Sequence, residues 1–480
     1  MLIGETYYTA VFIKNRRCSH VIHATLKAII FVLNMPGFFS ASTFLFWLPL
    51  TLLLAASTLS TKTPGFAWLL FMLAGLWAWW QSRRASDAPV QALEAADTLP
   101  ESPHRSLARI WLLTTLAALL LKTVPMLYWG DPWSERHAEL RLFLGALGLY
   151  GLCQLPLQRL RRYYLNANYM AWVGTGLAVA CVLALWLVLT KGSNAAPTNR
   201  IPWAAALTLS TCTLLTLARV TSDYRLRYLW LAASFAGLLA VLASDVRGAF
   251  GLALVWPALA LYLYIVKPSA TLQHARLKAV LKLSAALLLV AVLIPSPFVQ
   301  KPLERMQIAW PEWQASQISA ALGANTSVGA RLYMWQRSLG AFAQSPLIGY
   351  GREGRLMHLQ QWGDEASSPV VKSLGHLHNE YLHTLLDHGL WGLASLLSYS
   401  VGLVLMVRKL RSTGHIHHKS LAAGLASVLF LHMSAELTNM NFAHNYYPTM
   451  LSLAVTLLVC ATAGLARERS QADTRTVFGG

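Results

Sequence analysis

Arginine and histidine stand out in this 480-residue sequence because they fall at the edges of long apolar runs. The first such place is Ser244-Asp245-Val246-Arg247-Gly248, squeezed between two runs. An arginine there either anchors on lipid headgroups, with Asp245 as its neighbour, or binds an anion. The second is Gly329-Ala330-Arg331-Leu332-Tyr333-Met334-Trp335-Gln336-Arg337, running on to Ser345-Pro346-Leu347-Ile348-Gly349-Tyr350-Gly351. Its pattern predicts an amphipathic helix that opens near Ser327, stops at Pro346 and gives way to a glycine turn. Arg331 and Arg337 are six residues apart, about 600° of turn at 100° per residue, so they lie on different faces. Arg331, beside the glycine at the helix start, is the candidate for a site, and Arg337 is assigned to the surface. The third place is the stretch from His376 to Gly392, which also holds His378, His383 and His388. His378 and His383 are five apart, as are His383 and His388, off the i,i+4 spacing of helical metal ligands. No His-Glu-x-x-His pattern is present, so neither a metal nor a cofactor is expected. A single histidine acting as base is the better-motivated chemistry, because imidazole titrates near neutrality, and His378 is the candidate.

Together these residues suit one kind of reaction. Two arginines offer fixed forks for a diphosphate, and a nearby histidine can accept a proton from a hydroxyl. That is the equipment for glycosyl transfer from a polyprenyl-diphosphate sugar, with arginine rather than a divalent metal stabilising the departing diphosphate. Asn379 follows the candidate base, and Glu380 either orients His378 or caps the helix that begins there. Lys122 and Glu436 lie inside apolar runs; ionisable groups there serve function or hydrogen-bond a neighbouring helix. Arg136, Arg141, Lys191 and Arg200 are candidates for acceptor phosphates, and Asn439, Asn441, His444 and Asn445 form a polar loop suited to sugars.

The elements that must position these groups are set by composition. Charged residues are 12% of the chain, against roughly 25% in soluble proteins, so lipid must solvate most of it. On the scale of about 20 apolar residues per span, the expected fold is an all-α polytopic membrane protein of about twelve helices. They fall near 42–60, 64–82, 107–129, 138–157, 168–190, 201–218, 226–243, 248–267, 279–297, 384–407, 420–438 and 447–465. Alternate loops divide the basic residues unequally. One set, including Arg83, Arg84, Arg161, Arg162, Arg408 and Lys409, holds about 25 of the 39 lysines and arginines, and the opposite short loops hold about six. Both termini are therefore expected in the cytoplasm.

The resulting division is a cytoplasmic tail 1–41, spans one to nine over 42–297, an external loop 298–383, spans ten to twelve over 384–466 and a second tail 467–480. The first residues have an alternative reading as a signal peptide ending near Ser40-Ala41-Ser42, and Met35 is an alternative start. The loop, punctuated by Trp310, Trp313, Trp335 and Trp362, is where chemistry can live. A formal charge of +19 would suit nucleic acid, but its clustering between apolar runs fits anionic lipid headgroups instead. Cys18, Cys153, Cys181, Cys212 and Cys460 are odd in number and absent from the loop, which argues against a disulfide framework. A transporter would show internal repeats and polar groups near mid-span; here there is no repeat, and the polar cluster sits at one interface. A non-catalytic assembly protein is a further alternative.

At these residues the chain resembles the O-antigen ligase and polymerase superfamily of bacterial envelope proteins. The motifs are Arg247 before a span, the Gly329-x-Arg331-x-x-x-Trp335 helix, the Ser345 to Gly351 turn, and His378-Asn379-x-x-Leu382 followed by Gly389 and Gly392. Asp387 stands where members often carry Glu, and Val246 where they often carry Ser. The motifs cover about the last half of the chain. The resemblance implies a twelve-helix, metal-independent glycosyltransferase of the bacterial inner membrane with an undecaprenyl-diphosphate glycan donor. It implies His378 as base and the arginines on the diphosphate. Within the superfamily, one dominant external loop favours a ligase that passes O-antigen to a sugar hydroxyl of lipid A–core oligosaccharide. An O-antigen polymerase or another glycan transferase is the alternative.

Overall fold

A computed structural model describes residues 41–84, 102–156, 160, 169–192, 195–264, 304, 307, 310–314 and 323–465. The expected span 279–297, most of both expected tails, and the side chains of Arg136 and Arg247 lie outside the described residues. Among the described residues every regular element is helical and no strand occurs. Before the loop come α1 (Ala41–Ala55), α2 (Thr63–Arg84), α3 (Pro103–Trp129), α4 (His137–Cys153), α5 (Tyr169–Lys191), α6 (Arg200–Val220), α7 (Tyr224–Ala243) and α8 (Gly251–Tyr264). The loop carries α9 (Ser327–Gln344), α10 (Gly351–Glu365) and the short α11 (Pro369–Ser373). After it come α12 (Glu380–Ser412), α13 (Ile416–Glu436) and α14 (Tyr446–Leu465). Each expected span inside the described residues coincides with one of these helices. Six of them, α3, α5, α6, α7, α12 and α14, are long and apolar enough to cross a membrane, while α1 and α8 are apolar but shorter.

The centre of the bundle is α6 and α14, both buried along nearly their whole lengths. Helix α6 is rich in threonine and serine, which ought to resist such burial. Its hydroxyls bond back to their own helix: Thr208 donates to Ala205 O at 2.7 Å, Thr211 to Leu207 O at 2.7 Å and Thr216 to Cys212 O at 2.8 Å. Glycine lets the outer pair approach. A Cβ at Gly75 of α2 would stand 1.8 Å from the Gly148 carbonyl oxygen of α4, the small-residue contact by which helices pack in lipid. At the far end of α2, Trp77 and Trp80 are exposed and stacked at 4.8 Å, and Arg83 lies over Trp79. Tryptophan beside arginine is the composition of a headgroup layer. Cys153, Cys181, Cys212 and Cys460 are buried free thiols.

The loop helices fold around a small core of their own, with Met334, Leu359, Trp362, Val371 and Leu377 buried together. Caps set their limits. Thr326 accepts from Gly329 N at 3.0 Å, Ser368 from Val371 N at 3.2 Å, and Asn379 from Leu382 N at 3.1 Å. The expected helix from Ser327 to Pro346 is thus α9, ending at Gln344.

Helix α12 is broken where the loop meets it. Gly389 has φ +58°, a conformation that removes the helical bonds around it. The Ser345–Gly351 turn supplies replacements: Leu390 N donates to Pro346 O at 2.8 Å, Trp391 N to Leu347 O at 3.3 Å, and Tyr350 N to Leu386 O at 2.9 Å. Trp129, at the end of α3, pins the same turn by donating to Ile348 O at 2.9 Å. The turn therefore fills in for part of a helix, and the loop is keyed into the bundle.

Candidate active site

His378 lies in the short link between α11 and α12, with a left-handed φ of +52°. For a residue with a side chain this costs about 1–2 kcal/mol, so the neighbours must impose it. On one side the Trp335 indole donates to Leu377 O at 2.7 Å, tying the α9 motif to the histidine motif. On the other, Asn379 is committed as the cap of α12. The His376 ring meets the His378 ring edge-on, 4.1 Å between centroids. The Asn439 side chain is within hydrogen-bonding reach, and Arg331 is near enough for its charge to act on both histidines. Burial, followed by His376 and Arg331, pushes His378 down to about 3. Burial likewise drives His376 down to about 4, with Arg355, His444 and Arg331 contributing. His378 is thus a neutral imidazole at physiological pH, able to accept a proton once a negative charge arrives to offset the arginine.

Arg331 is therefore close enough to His378 for its charge to act on the imidazole. The third expected member is placed through its backbone. Arg247–Ala249 forms a 3-10 turn, and a Cβ on Gly248 would lie 2.2 Å from Thr438 Oγ1. Thr438 directly precedes Asn439, the partner of His378, so the Arg247 backbone approaches the same end of the site. Arg337 is exposed and pairs with Glu365.

A second polar cluster, which sequence reasoning missed, lies near enough for Arg355 to act on His376. Arg355 of α10 is buried and bonds both Asp387 and His383, the latter at 2.6 Å, while His383 is 3.3 Å from Asp387. His388 Nε2 is 2.9 Å from Asp131 Oδ2, and Arg352 N donates to Asp131 Oδ1 at 3.1 Å. Burial of Asp131 opposes ionisation, but the bonds from His388 and Arg352 outweigh it and lower its pKa. The histidines of the 376–392 stretch thus have separate tasks: two face Arg331, and two hold the loop against α3 and α12. No periodicity marks Arg355, since the polar helix 351–365 reads as solvated. The faint signal is Asp387, one of the two positions at which the sequence departs from the family pattern.

The secondary candidates are dispersed. Glu380 accepts from Phe442 N at 3.3 Å and faces Glu436, so it does not orient His378. Glu436 is buried 3.5 Å from His432. Lys122 pairs with Glu139 at 3.2 Å. Lys191 and Arg200 are exposed, whereas Arg141 is half-buried beneath a cavity of about 600 Å³.

Residues 232–397 match the family model described as O-antigen ligase. The match supports an O-antigen ligase family assignment. The matched segment runs from within α7 through the first half of α12 and so includes Arg247, Arg331, Trp335, Arg355, His378 and Asp387. A curated relative, an uncharacterized protein of Haemophilus influenzae, is 35% identical over 75 residues, 15% of this chain and 18% of the relative's length.

Proposed function

We propose that the protein is an O-antigen ligase of the bacterial inner membrane, threaded about twelve times, with both termini cytoplasmic and residues 298–383 on the periplasmic side. The donor is glycan on undecaprenyl diphosphate and the acceptor is a sugar hydroxyl of lipid A–core. His378 takes the proton of the acceptor hydroxyl as its oxygen attacks the anomeric carbon of the donor sugar. The bond from that carbon to the diphosphate oxygen breaks, and undecaprenyl diphosphate leaves as an anion held by Arg331 and Arg247. The bound diphosphate also raises the basicity of His378, so the imidazole becomes a competent base only in the loaded site.

The observation that carries this reading is the juxtaposition of Arg331 with a neutral His378 within the ligase-family segment. Purified protein given undecaprenyl-diphosphate glycan and lipid A–core should join them without added metal, and EDTA should not inhibit. Failure of His378→Ala to slow transfer would remove the base. Deleting the gene separates ligase from polymerase: lipid-linked polymer accumulates in the first case, and a core carrying one repeat unit appears in the second.

A further inference from the structure

At the end of the bundle that carries the loop lies a cavity of about 600 Å³. Its size falls within the ~300–1,000 Å³ usual for small-ligand clefts. Lys62 and Arg141 line it, together with Asn445 and His444, and among the described residues no carboxylate does. The Arg141 guanidinium lies over the Trp68 ring, 5.6 Å from its centroid, which fixes its plane. Among the described residues its buried Nε has no hydrogen-bond acceptor, so the donor is free to meet an anion. Four helices start around the cavity: α2 just after Lys62, α4 four residues before Arg141, α6 just after Thr198 and α14 at Tyr446. Helix starts carry positive dipole ends and unpaired N–H groups, so they add to the two cations. A Cβ added at Gly65 would meet nothing within 4 Å, so that wall is open.

The cavity is also connected to the chemistry. His444 on its wall acts electrostatically on His376, whose ring touches His378. Of the cations expected on the acceptor side whose side chains are described, Arg141 lines the cavity. Lys191 and Arg200 are exposed and are not among its lining residues, whereas Lys62 is.

We propose that this cavity binds a phosphorylated sugar of the acceptor glycan, with Arg141 and Lys62 on the phosphate and Asn445 and His444 on hydroxyls, and so delivers the neighbouring acceptor hydroxyl towards His378. This rests on the ligase reading. An anionic phospholipid headgroup has the same phosphate chemistry, and the test separates the two. Full-length protein in phosphatidylcholine nanodiscs is assayed with lipid A–core before and after removal of its phosphates by hydrofluoric acid. Dephosphorylation should raise the acceptor KM of the wild type at least tenfold. Lys62→Gln/Arg141→Gln should raise the acceptor KM by a similar factor, lose the sensitivity to dephosphorylation and keep the donor KM. Gly65→Leu, which fills the cavity without touching a charge, should also raise the acceptor KM. The proposal is overturned if the wild type uses dephosphorylated acceptor equally well, if the double variant changes the donor KM instead, or if phosphatidylglycerol in the disc displaces the acceptor. If the wild type transfers nothing, the ligase reading fails, and equilibrium binding of fluorescent lipid A–core decides the cavity separately. Phosphate-dependent binding lost in the double variant supports the site, and binding indifferent to phosphate overturns it.

Discussion

A histidine held at about 3 by burial, His376 and Arg331 is unprotonated across the physiological range, and that has a kinetic signature. The acid limb of kcat/KM reports the free enzyme, so it should lie below pH 5 rather than near the ordinary 6.5. The limb of kcat should sit at higher pH, because bound diphosphate stabilises the imidazolium. A kcat/KM limb near 6.5 would contradict the environment described. Stability has the matching sign. The unfolded chain takes up a proton near 6.5 and the folded chain only near 3, so the fold loses stability as pH falls through that window. His378→Ala should reduce transfer by about 100-fold or more, the lower bound for a general base, with thermal unfolding unchanged. Arg331→Ala should impair donor use, and Arg331→Lys should restore it only in part, because a point charge lacks the fork. Initial rates against donor concentration would check both variants.

Helix α12 and the turn that completes it are the elements on which the site depends. A Cβ on Gly389 would lie 2.4 Å from the Leu347 carbonyl carbon and 2.6 Å from Pro346 O, at a φ closed to most residues. Gly389→Ala should therefore cost roughly 2–3 kcal/mol or more and lower activity together with stability. Gly340→Ala in α9, where a Cβ meets nothing within 4 Å, should stabilise by up to about 1 kcal/mol. Melting temperatures of the two variants in one detergent give the comparison. The helices themselves were legible in the sequence because apolar length alone dictates them. The break at Gly389 was not, since a glycine inside an apolar run reads equally as a packing residue. The Arg355–Asp387–His383 cluster escaped for a different reason: Arg355 is 28 and 32 residues from its two partners and meets them only when α10 packs on α12.

For the whole molecule, the direction of insertion is the prediction to test. With Cys18 replaced by serine and the other thiols buried, a periplasm-confined thiol reagent should label a cysteine placed at exposed Ser373 and miss one at exposed Ser412. Ser368, although in the loop, is fully buried as the cap of α11 and would not react from either side. Basic-residue bias gave this orientation from the sequence, but which cations share a cavity became visible only once separate helix starts converged. The clip at Gly389 has a further consequence for biogenesis. A helix with exposed N–H and C=O groups is costly in lipid, so α12 is complete only when the 345–351 turn is docked against it. Synthesis makes that turn first. On the proposed topology the bilayer can therefore accept α12 in its final form only after the preceding segment has crossed and folded, so that the loop would act as the chaperone of the helix that anchors it.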